Sequence, residues 1–350
     1  MPDPFDLVRS AASVEQVLSL CKRKGRVLLL LQNNPDPDGI ASALALRNLI
    51  HDRINKRAVI GYGGICGRAE NRAMLQLLRI EAHRITPEEL GRFGTLCLLD
   101  TQPQSGNNAL YATRPADIVI DHHLRPRRAT WQAQFVDLRP EYGATATILY
   151  EYLLCAQILV DTNLATALTY GILSDTQDLG REVSPADTAA FLALFPTADK
   201  KKLARMRHAS VPPEYFRMLH DSLNDCVVAG SAVITQIRGG TSPDMIAEVA
   251  ELMLRLRGAR TSVCYGVCGN TIHLSARATD ARGNAYRGMK RVVSRLGTGG
   301  GHLTMAGGQI PLDEDPEKRL AQVRTRILKV FAHGKESKPL LRLEEATDDH

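Results

Sequence analysis

The chain has 350 residues, of which 44% are hydrophobic, and its formal net charge at pH 7 is +6. This length is more than one core usually needs and suffices for two domains, while the modest positive charge favours anionic partners only weakly. No apolar run approaches the roughly 20 residues of a membrane span, and the N-terminal residues lack the layout of a signal peptide. The seven cysteines are scattered along the chain, which suits reduced thiols. We therefore expect a soluble, cytoplasmic protein with no membrane partner.

Short apolar strands alternate with segments of helical period in the first half of the chain. The predicted strands cover residues 26–31, 57–62, 95–99 and 117–120, and the predicted helices cover residues 42–51, 69–80, 144–157 and 164–173. This alternation indicates an α/β fold with a parallel sheet and helices on both of its faces. In such sheets, ligands bind beyond the carboxyl ends of the strands.

The second half has a different pattern. Residues 186–225 are helical in period but more polar, which predicts a linker, and residues 226–333 mix strands with helices in a smaller α/β domain. We predict a first domain over residues 1–185, the helical linker, the second domain, and a flexible tail over residues 334–350. The active site is expected in the cleft between the two domains.

Acidic residues and imidazoles follow several of the predicted apolar elements of the first half. They are Asp36, Asp38, Asp100, the run Asp121-His122-His123, and Asp175. Carboxylates with some imidazole suit hard divalent ions such as Mg²⁺ and Mn²⁺, and two such ions can activate water in phosphoryl hydrolysis. The joint pattern predicts a shared metal site. Taken alone, Asp36 and Asp38 could equally cap a helix beginning near Ser42.

A glycine run in the second half is predicted as a loop that follows a helix, and it has a chemical interpretation of its own. Gly299, Gly300 and Gly301 would let backbone N–H groups approach an anion, and His302 could donate a hydrogen bond to a phosphate. The alternative is a helix C-cap followed by a flexible turn, where glycine is also favoured.

Two further sites are candidates for contacts with a phosphorylated substrate. Ser275 and Arg277 are two residues apart on a predicted strand and therefore share one face. Residues 63–68 form a glycine-rich segment between a strand and a helix, which makes Arg68 a candidate substrate contact. The segment lacks the Lys-Ser/Thr ending of a Walker A loop, and an ordinary surface role for either arginine stays open.

These motifs resemble those of the DHH phosphoesterase superfamily, which is named after the Asp-His-His sequence at residues 121–123. Residues 34–39, 98–100 and 171–176 look like its other three motifs. The second half resembles the associated DHHA1 substrate-binding domain through residues 299–302 and 306–308. The two-domain size looks most like the nanoRNase and cyclic-dinucleotide phosphodiesterase branch.

The resemblance implies a role for each residue of the site. Asp38, His122 and Asp175 would hold one Mn²⁺, Asp36 would hold a second, and Asp100 would bridge both, with Mg²⁺ as an alternative ion. His123 would orient the site or act near the leaving group, and Ser275, Arg277 and the 299–302 segment would contact phosphate. The chain departs from the usual pattern at Gln32, where the first motif often has a metal-binding histidine.

The function that this resemblance implies is Mn²⁺-dependent hydrolysis of short oligoribonucleotides or dinucleotides to 5′-mononucleotides, and a homodimer is compatible with it. The expected substrates are nanoRNA and pApA, and the range extends to cyclic di-AMP and pAp. Two alternatives stay open at this point. One is an inorganic pyrophosphatase or polyphosphatase that uses the same metals, and the other is a non-catalytic nucleotide sensor, which Gln32 suggests.

Overall fold

The computed structural model describes residues 4–110, 114–125, 129–239, 242–301 and 303–342. The protein is α/β, as predicted, and it divides into two compact units, Met1–Ser210 and Val211–His350. The segment that we predict as a linker contributes two helices to the first unit and one to the second. Of the predicted tail, residues 343–350 lie outside the described residues. Among the described residues, no helix has both the length and the hydropathy that a bilayer crossing requires.

A sheet of six parallel strands, in the order β3-β2-β1-β4-β5-β6, forms the centre of the first unit. The strands are β1 (Arg26–Leu30), β2 (Ala58–Tyr62), β3 (Ala82–Arg84), β4 (Phe93–Leu99), β5 (Ile118–Asp121) and β6 (Phe135–Leu138). The helices are α1 (Leu7–Cys21), α2 (Pro37–Ile54), α3 (Ala69–Leu77), α4 (Thr145–Cys155), α5 (Thr162–Asp175), α6 (Pro185–Leu194) and α7 (Lys200–Arg207). The strand order reverses between β1 and β4, and such a reversal opens a crevice at the carboxyl ends of these two strands.

The two faces of this sheet are covered differently. Alternate strand residues such as Leu29 and Leu99 pack with the buried residues of the α-helices, while Leu28 and Leu98 pack with Trp131 and with the 3₁₀ helix Pro87–Arg92. Helices therefore lie on both faces, as predicted, but unevenly, because the connections after β4 and β5 are polar and lack a helical period.

Helix α2 begins at Pro37, five residues before the predicted start near Ser42. The apolar period is absent from its first turn, where Asp38 and Gly39 stand, although both residues are buried. Polar and glycine residues are weak helix signals, so the apolar pattern predicts only the later turns of α2.

The second unit is built on a seven-stranded sheet in the order β11-β12-β10-β9-β8-β7-β13. The strands are β7 (Val227–Ala229), β8 (Ala232–Ile237), β9 (Thr261–Cys268), β10 (Thr271–Ala278), β11 (Thr298–Gly301), β12 (Met305–Pro311) and β13 (Lys338–Pro339). The helices are α8 (Pro213–Asp225), α9 (Pro243–Met253), α10 (Ala285–Val293) and α11 (Pro316–Ile327). The pair β8–β9 is parallel and the other pairs are antiparallel.

The glycine run that we predict as a loop is the strand β11, at one edge of this sheet. Gly299 pairs with Gly308 of β12, and a Cβ atom on Gly308 would lie 2.6 Å from the sulfur of Met289. The absence of side chains lets α10 pack directly on these two strands. Glycines rarely mark a strand in a sequence, which explains the wrong prediction.

Candidate metal centre

The first acidic motif lies where β1 leads into α2. Asp36 caps the helix, because its Oδ1 accepts a hydrogen bond from the backbone N–H of Gly39 at 3.0 Å, and Pro37 supplies the φ angle that the first turn needs. Capping was the alternative to metal binding for this motif. It accounts for Asp36 but not for Asp38, which lies inside the first turn and is fully buried.

The Asp38 carboxylate contacts the start of another helix. Its two oxygens accept hydrogen bonds from the backbone N–H groups of Thr145 and Ala146, at 2.7 and 2.8 Å. These are the first residues of α4, where unsatisfied N–H groups and the helix dipole favour an anion. Asp38 is thus held rigidly in the crevice of the sheet.

Asp100 directly follows β4 and has a φ of 56°, a left-handed conformation that Asp and Asn adopt more readily than other residues with side chains. Its Oδ1 accepts a hydrogen bond from the hydroxyl of Thr145 at 3.1 Å. Its Oδ2 is buried and has no hydrogen-bond partner among the described residues. A buried carboxylate oxygen in that state is costly, and a cation would satisfy it.

His122 points its Nε2 atom into the same crevice. The ring is oriented by Nδ1, which lies 3.2 Å from the backbone carbonyl of Tyr142 and can donate to it. Nε2 lies 3.2 Å from a carboxylate oxygen of Asp175 and 3.6 Å from one of Asp100, and it is buried without a hydrogen bond to any described residue. A neutral imidazole held through Nδ1, with Nε2 facing carboxylates, is the usual arrangement of a metal-binding histidine.

The other two residues of the Asp-His-His run form a pair with each other. Asp121 Oδ1 lies 2.8 Å from Nδ1 of His123, and its Oδ2 accepts a hydrogen bond from Gln102 at 2.8 Å. Asp121 therefore orients His123, whose side chain keeps 39% of its surface exposed. Burial opposes the charged form of His123, but the bond to Asp121 raises its pKa above the ordinary value.

Asp175, the last residue of α5, reaches the crevice because α5 crosses α2 closely at Gly171. A Cβ atom on Gly171 would lie 3.2 Å from the Cα of Asp38 and 3.1 Å from the Cβ of Ala41. The close crossing brings the end of α5 to the first turn of α2.

The structure assembles the predicted ligands into two overlapping groups, in each of which one candidate ligand atom per residue lies within 4.8 Å of the others. The first group is Asp38, Asp100, His122 and Asp175, and the second is Asp100, Asp121, His122 and His123. Asp100 and His122 belong to both groups. Asp36 belongs to neither group; its Oδ2 accepts a hydrogen bond from the side-chain amide of Gln32 at 2.5 Å.

The electrostatics of the cluster favour a bound cation. Burial and the charge of Asp175 raise the pKa of Asp36 to about 6 and that of Asp38 to about 8. Burial and the neighbouring carboxylates raise the pKa of Asp100 well above its usual range. Burial opposes the charged form of His122, yet Asp175 raises its pKa to about 10. Without a metal the cluster holds protons at neutral pH, and a divalent ion would displace them. The residues therefore fit a divalent metal.

The predicted substrate residues lie in both units. Arg68 is the residue before α3 and lies 3.7 Å from Glu70. In the second unit, Arg277 donates to the hydroxyl of Ser275 at 2.8 Å and also contacts Glu251. Gly299, Gly300 and Gly301 form the edge strand β11, and His302 lies outside the described residues. The roles of these residues stay predictions.

Three residues of the metal centre are not predicted from the sequence. Thr145 binds Asp38 and Asp100, Tyr142 orients His122, and Gln102 supports Asp121. Their contacts join segments far apart in the chain. The run Gly143-Ala144-Thr145 before an apolar helix was the one local signal, because small residues allow a close approach to carboxylates.

A parallel α/β sheet whose crevice holds several carboxylates and a largely buried imidazole is an arrangement that suits a metal-dependent hydrolase. Two family profiles match the chain: "DHH family, N-terminal domain" over residues 26–172 and "DHHA1 domain" over residues 229–331. The chain belongs to the DHH superfamily and carries a DHHA1 domain after its DHH domain. The predicted resemblance is confirmed.

The chain is also similar to individual proteins. An uncharacterized protein of Methanocaldococcus jannaschii is 34% identical over 328 residues, which are 91% of this chain and 66% of that protein. The fold is similar to that of an exopolyphosphatase-related protein from Bacteroides fragilis, with a TM-score of 0.69, 16% identity, and coverage of 91% and 96% of the two chains. It is also similar to RecJ from Thermus thermophilus in complex with Mn²⁺, with a TM-score of 0.54, 14% identity, and coverage of 94% and 55%.

Proposed function

We propose that the protein is a Mn²⁺-dependent phosphodiesterase that hydrolyses short oligoribonucleotides or dinucleotides to 5′-mononucleotides. The observation that carries the proposal is the group of Asp38, Asp100, His122 and Asp175 within 4.8 Å. In this group, Asp100 Oδ2 and His122 Nε2 are buried without hydrogen-bond partners among the described residues. Such a donor set suits Mn²⁺ or Mg²⁺.

In this proposal, Asp38, His122 and Asp175 would hold one ion, Asp36 would hold a second, and Asp100 would contribute to both. When bound, two such ions polarise the phosphoryl oxygens and lower the pKa of a water. RecJ, a fold relative, was solved with Mn²⁺, and the donor set of this chain suits Mn²⁺ or Mg²⁺.

The chain's own residues prepare the site for this chemistry. Tyr142 keeps the Nδ1 proton of His122 in place, so that Nε2 faces the carboxylates. Thr145 and Ala146 hold Asp38 from the start of α4. His123, held by Asp121, is placed to act near the leaving group, where the raised pKa favours a proton on its ring.

Our choice of a nucleotide substrate rests on the second unit. It carries the DHHA1 domain, and Arg277 with Ser275 offers charged and hydroxyl donors on one strand. Arginine suits the oxygens of a phosphodiester because its planar fork donates two parallel hydrogen bonds. The expected range includes pApA, pAp and cyclic di-AMP.

A substrate panel tests the proposal. The full-length protein with Mn²⁺ is incubated with RNAs of two to ten nucleotides, a cyclic dinucleotide and pyrophosphate, and the products are separated by chromatography. We expect release of 5′-mononucleotides, fastest from the shortest RNAs. Hydrolysis of pyrophosphate alone would establish the pyrophosphatase alternative instead, and binding of dinucleotides without turnover would establish the sensor.

A further inference from the structure

A second concave site lies in the first unit, beside the metal centre. It is a pocket of about 350 Å³ at the carboxyl ends of β2 and β3, lined by Tyr62, Gly64, Ile65, Cys66, Arg72, Leu75, Gln76 and Arg84. Its volume lies at the low end of the range of small-molecule sites, it is largely open to solvent, and apolar and aromatic side chains line it together with a few polar groups. None of these described lining residues carries a carboxylate.

The charge in this pocket is suited to a phosphate. Arg72, from α3, and Arg84, the last residue of β3, come to the same cavity from different elements. Within the described ranges neither forms an ion pair, although Arg72 donates to the backbone carbonyl of Gly67. Two guanidinium groups without acidic partners favour an anion, and their geometry suits phosphate oxygens.

The remaining walls suit a nucleoside. Tyr62, the last residue of β2, offers an aromatic ring on which a base can stack. Ile65, whose surface is 55% exposed, and Leu75 add apolar area, while the amide of Gln76 can hydrogen-bond to a base edge. Because every base has a π-face, this lining does not require one particular base.

The pocket is tied to the segment that leads into the metal centre. Gly64 donates its N–H to the carbonyl of Asn33 at 2.9 Å, and Asn71 of α3 donates to the carbonyl of Pro35 at 2.8 Å. Neighbouring strands lie about 4.8 Å apart, so a site above β2 and β3 is roughly 5–10 Å from residues that follow β1. One phosphodiester could therefore lie at the carboxylates while an adjoining nucleotide occupies the pocket.

We propose that this pocket binds a nucleoside 5′-monophosphate unit, with Arg72 and Arg84 on the phosphate and Tyr62 against the base. That the unit belongs to a substrate rests on the proposed phosphodiesterase function. The binding itself does not depend on catalysis and can be measured without a metal.

The experiment is isothermal titration calorimetry of the full-length, EDTA-treated protein with AMP, ribose 5-phosphate, adenosine and inorganic phosphate. We expect AMP to bind more tightly than the other three ligands. The variant Arg84→Gln should weaken AMP binding roughly ten- to a hundred-fold, as the loss of a charged hydrogen bond does. The variant Arg53→Gln, which removes the same charge from an exposed position at the end of α2, should not change it.

Two results would overturn the proposal: an unchanged affinity for AMP in both Arg84→Gln and Arg72→Gln, or inorganic phosphate binding as tightly as AMP. Melting temperatures of the variants check folding, since Arg72 also contacts Gly67. If the wild type binds AMP but hydrolyses no nucleotide with Mn²⁺, the proposed function fails while this site stands.

Discussion

Replacing Asp100 by asparagine tests the role of this residue in metal binding separately from its role in folding. Asparagine has the same shape and tolerates the φ of 56° at this position, whereas alanine would add backbone strain. Its amide can still accept a hydrogen bond from Thr145, as Asp100 Oδ1 does now. The change therefore removes the titratable carboxyl group of Asp100 and alters little else.

The expected effect on the metal-free protein is an increase in stability. Two ionised carboxylates at the cluster's limiting distance of 4.8 Å repel each other by about 3.5 kcal/mol at an effective dielectric constant of about 20. The raised pKa values let the cluster take up protons instead, so only part of this repulsion is realised at pH 7. We expect Asp100→Asn to raise the free energy of unfolding by about 1–3 kcal/mol, or the melting temperature by about 2–10 °C.

The assay compares thermal unfolding of Asp100→Asn and wild type in EDTA and in excess Mn²⁺, alongside hydrolysis of a dinucleotide. Mn²⁺ should stabilise the wild type much more than the variant, and hydrolysis should fall roughly a thousand-fold. Asp52→Asn, an exposed acid on α2, is the matched control and should behave as wild type. A variant that is less stable than wild type in EDTA, or that responds equally to Mn²⁺, would refute the cluster electrostatics.

Four further predictions rest on the charges and contacts of the first unit. The affinity for Mn²⁺ should rise between pH 6 and 8, because Asp36 and Asp38, with pKa values of about 6 and about 8, must lose their protons. The free energy of unfolding of the metal-free protein should fall as the pH rises from 4 to 8, since the folded state binds more protons than the unfolded state. Titrations in several buffers measure both effects, and a value that does not change with pH would contradict the corresponding prediction. Gln32→His should tighten Mn²⁺ binding roughly ten-fold in calorimetry, because imidazole is a stronger ligand than an amide beside Asp36; an unchanged affinity would remove Gln32 from the site. Arg139→Met should lower the free energy of unfolding, measured in urea, by about 3–5 kcal/mol, because the buried Arg139 forms ion pairs with Asp137 and Glu151. The variant would leave Asp137 with Arg9 and Glu151 with the hydroxyls of Ser10 and Tyr142; a loss below about 1 kcal/mol would show that the acids reach water.

The family and four of the six strands of the first sheet could be predicted from the sequence because they depend on local patterns, whereas the short strands β3 and β6 and the helix α1 were not predicted. Apolar runs of four to six residues mark the buried strands, and short motifs such as residues 121–123 stand directly after them. Glycine and polar residues weaken such patterns, which is why the first turn of α2 and the strand β11 were predicted wrongly.

Which residues of the metal centre are ligands and which support them could not be predicted from local sequence patterns. In the sequence, Asp121 is a candidate metal ligand beside His122 and His123. In the structure, its carboxylate lies against Nδ1 of His123 and accepts a hydrogen bond from Gln102. The support of Asp38 by Thr145 joins residues more than 100 positions apart. No local propensity reports such a contact.

The sequence by itself determined which residues could bind a metal, because residue type and position after a strand decide that chemistry. Only the tertiary structure decided which atoms meet within 4.8 Å, which of them are buried without partners among the described residues, and which serve as supports. Those properties arise from the crossing of α2 with α5 and from the start of α4 against Asp38, and they exist only once the helices have packed on the sheet.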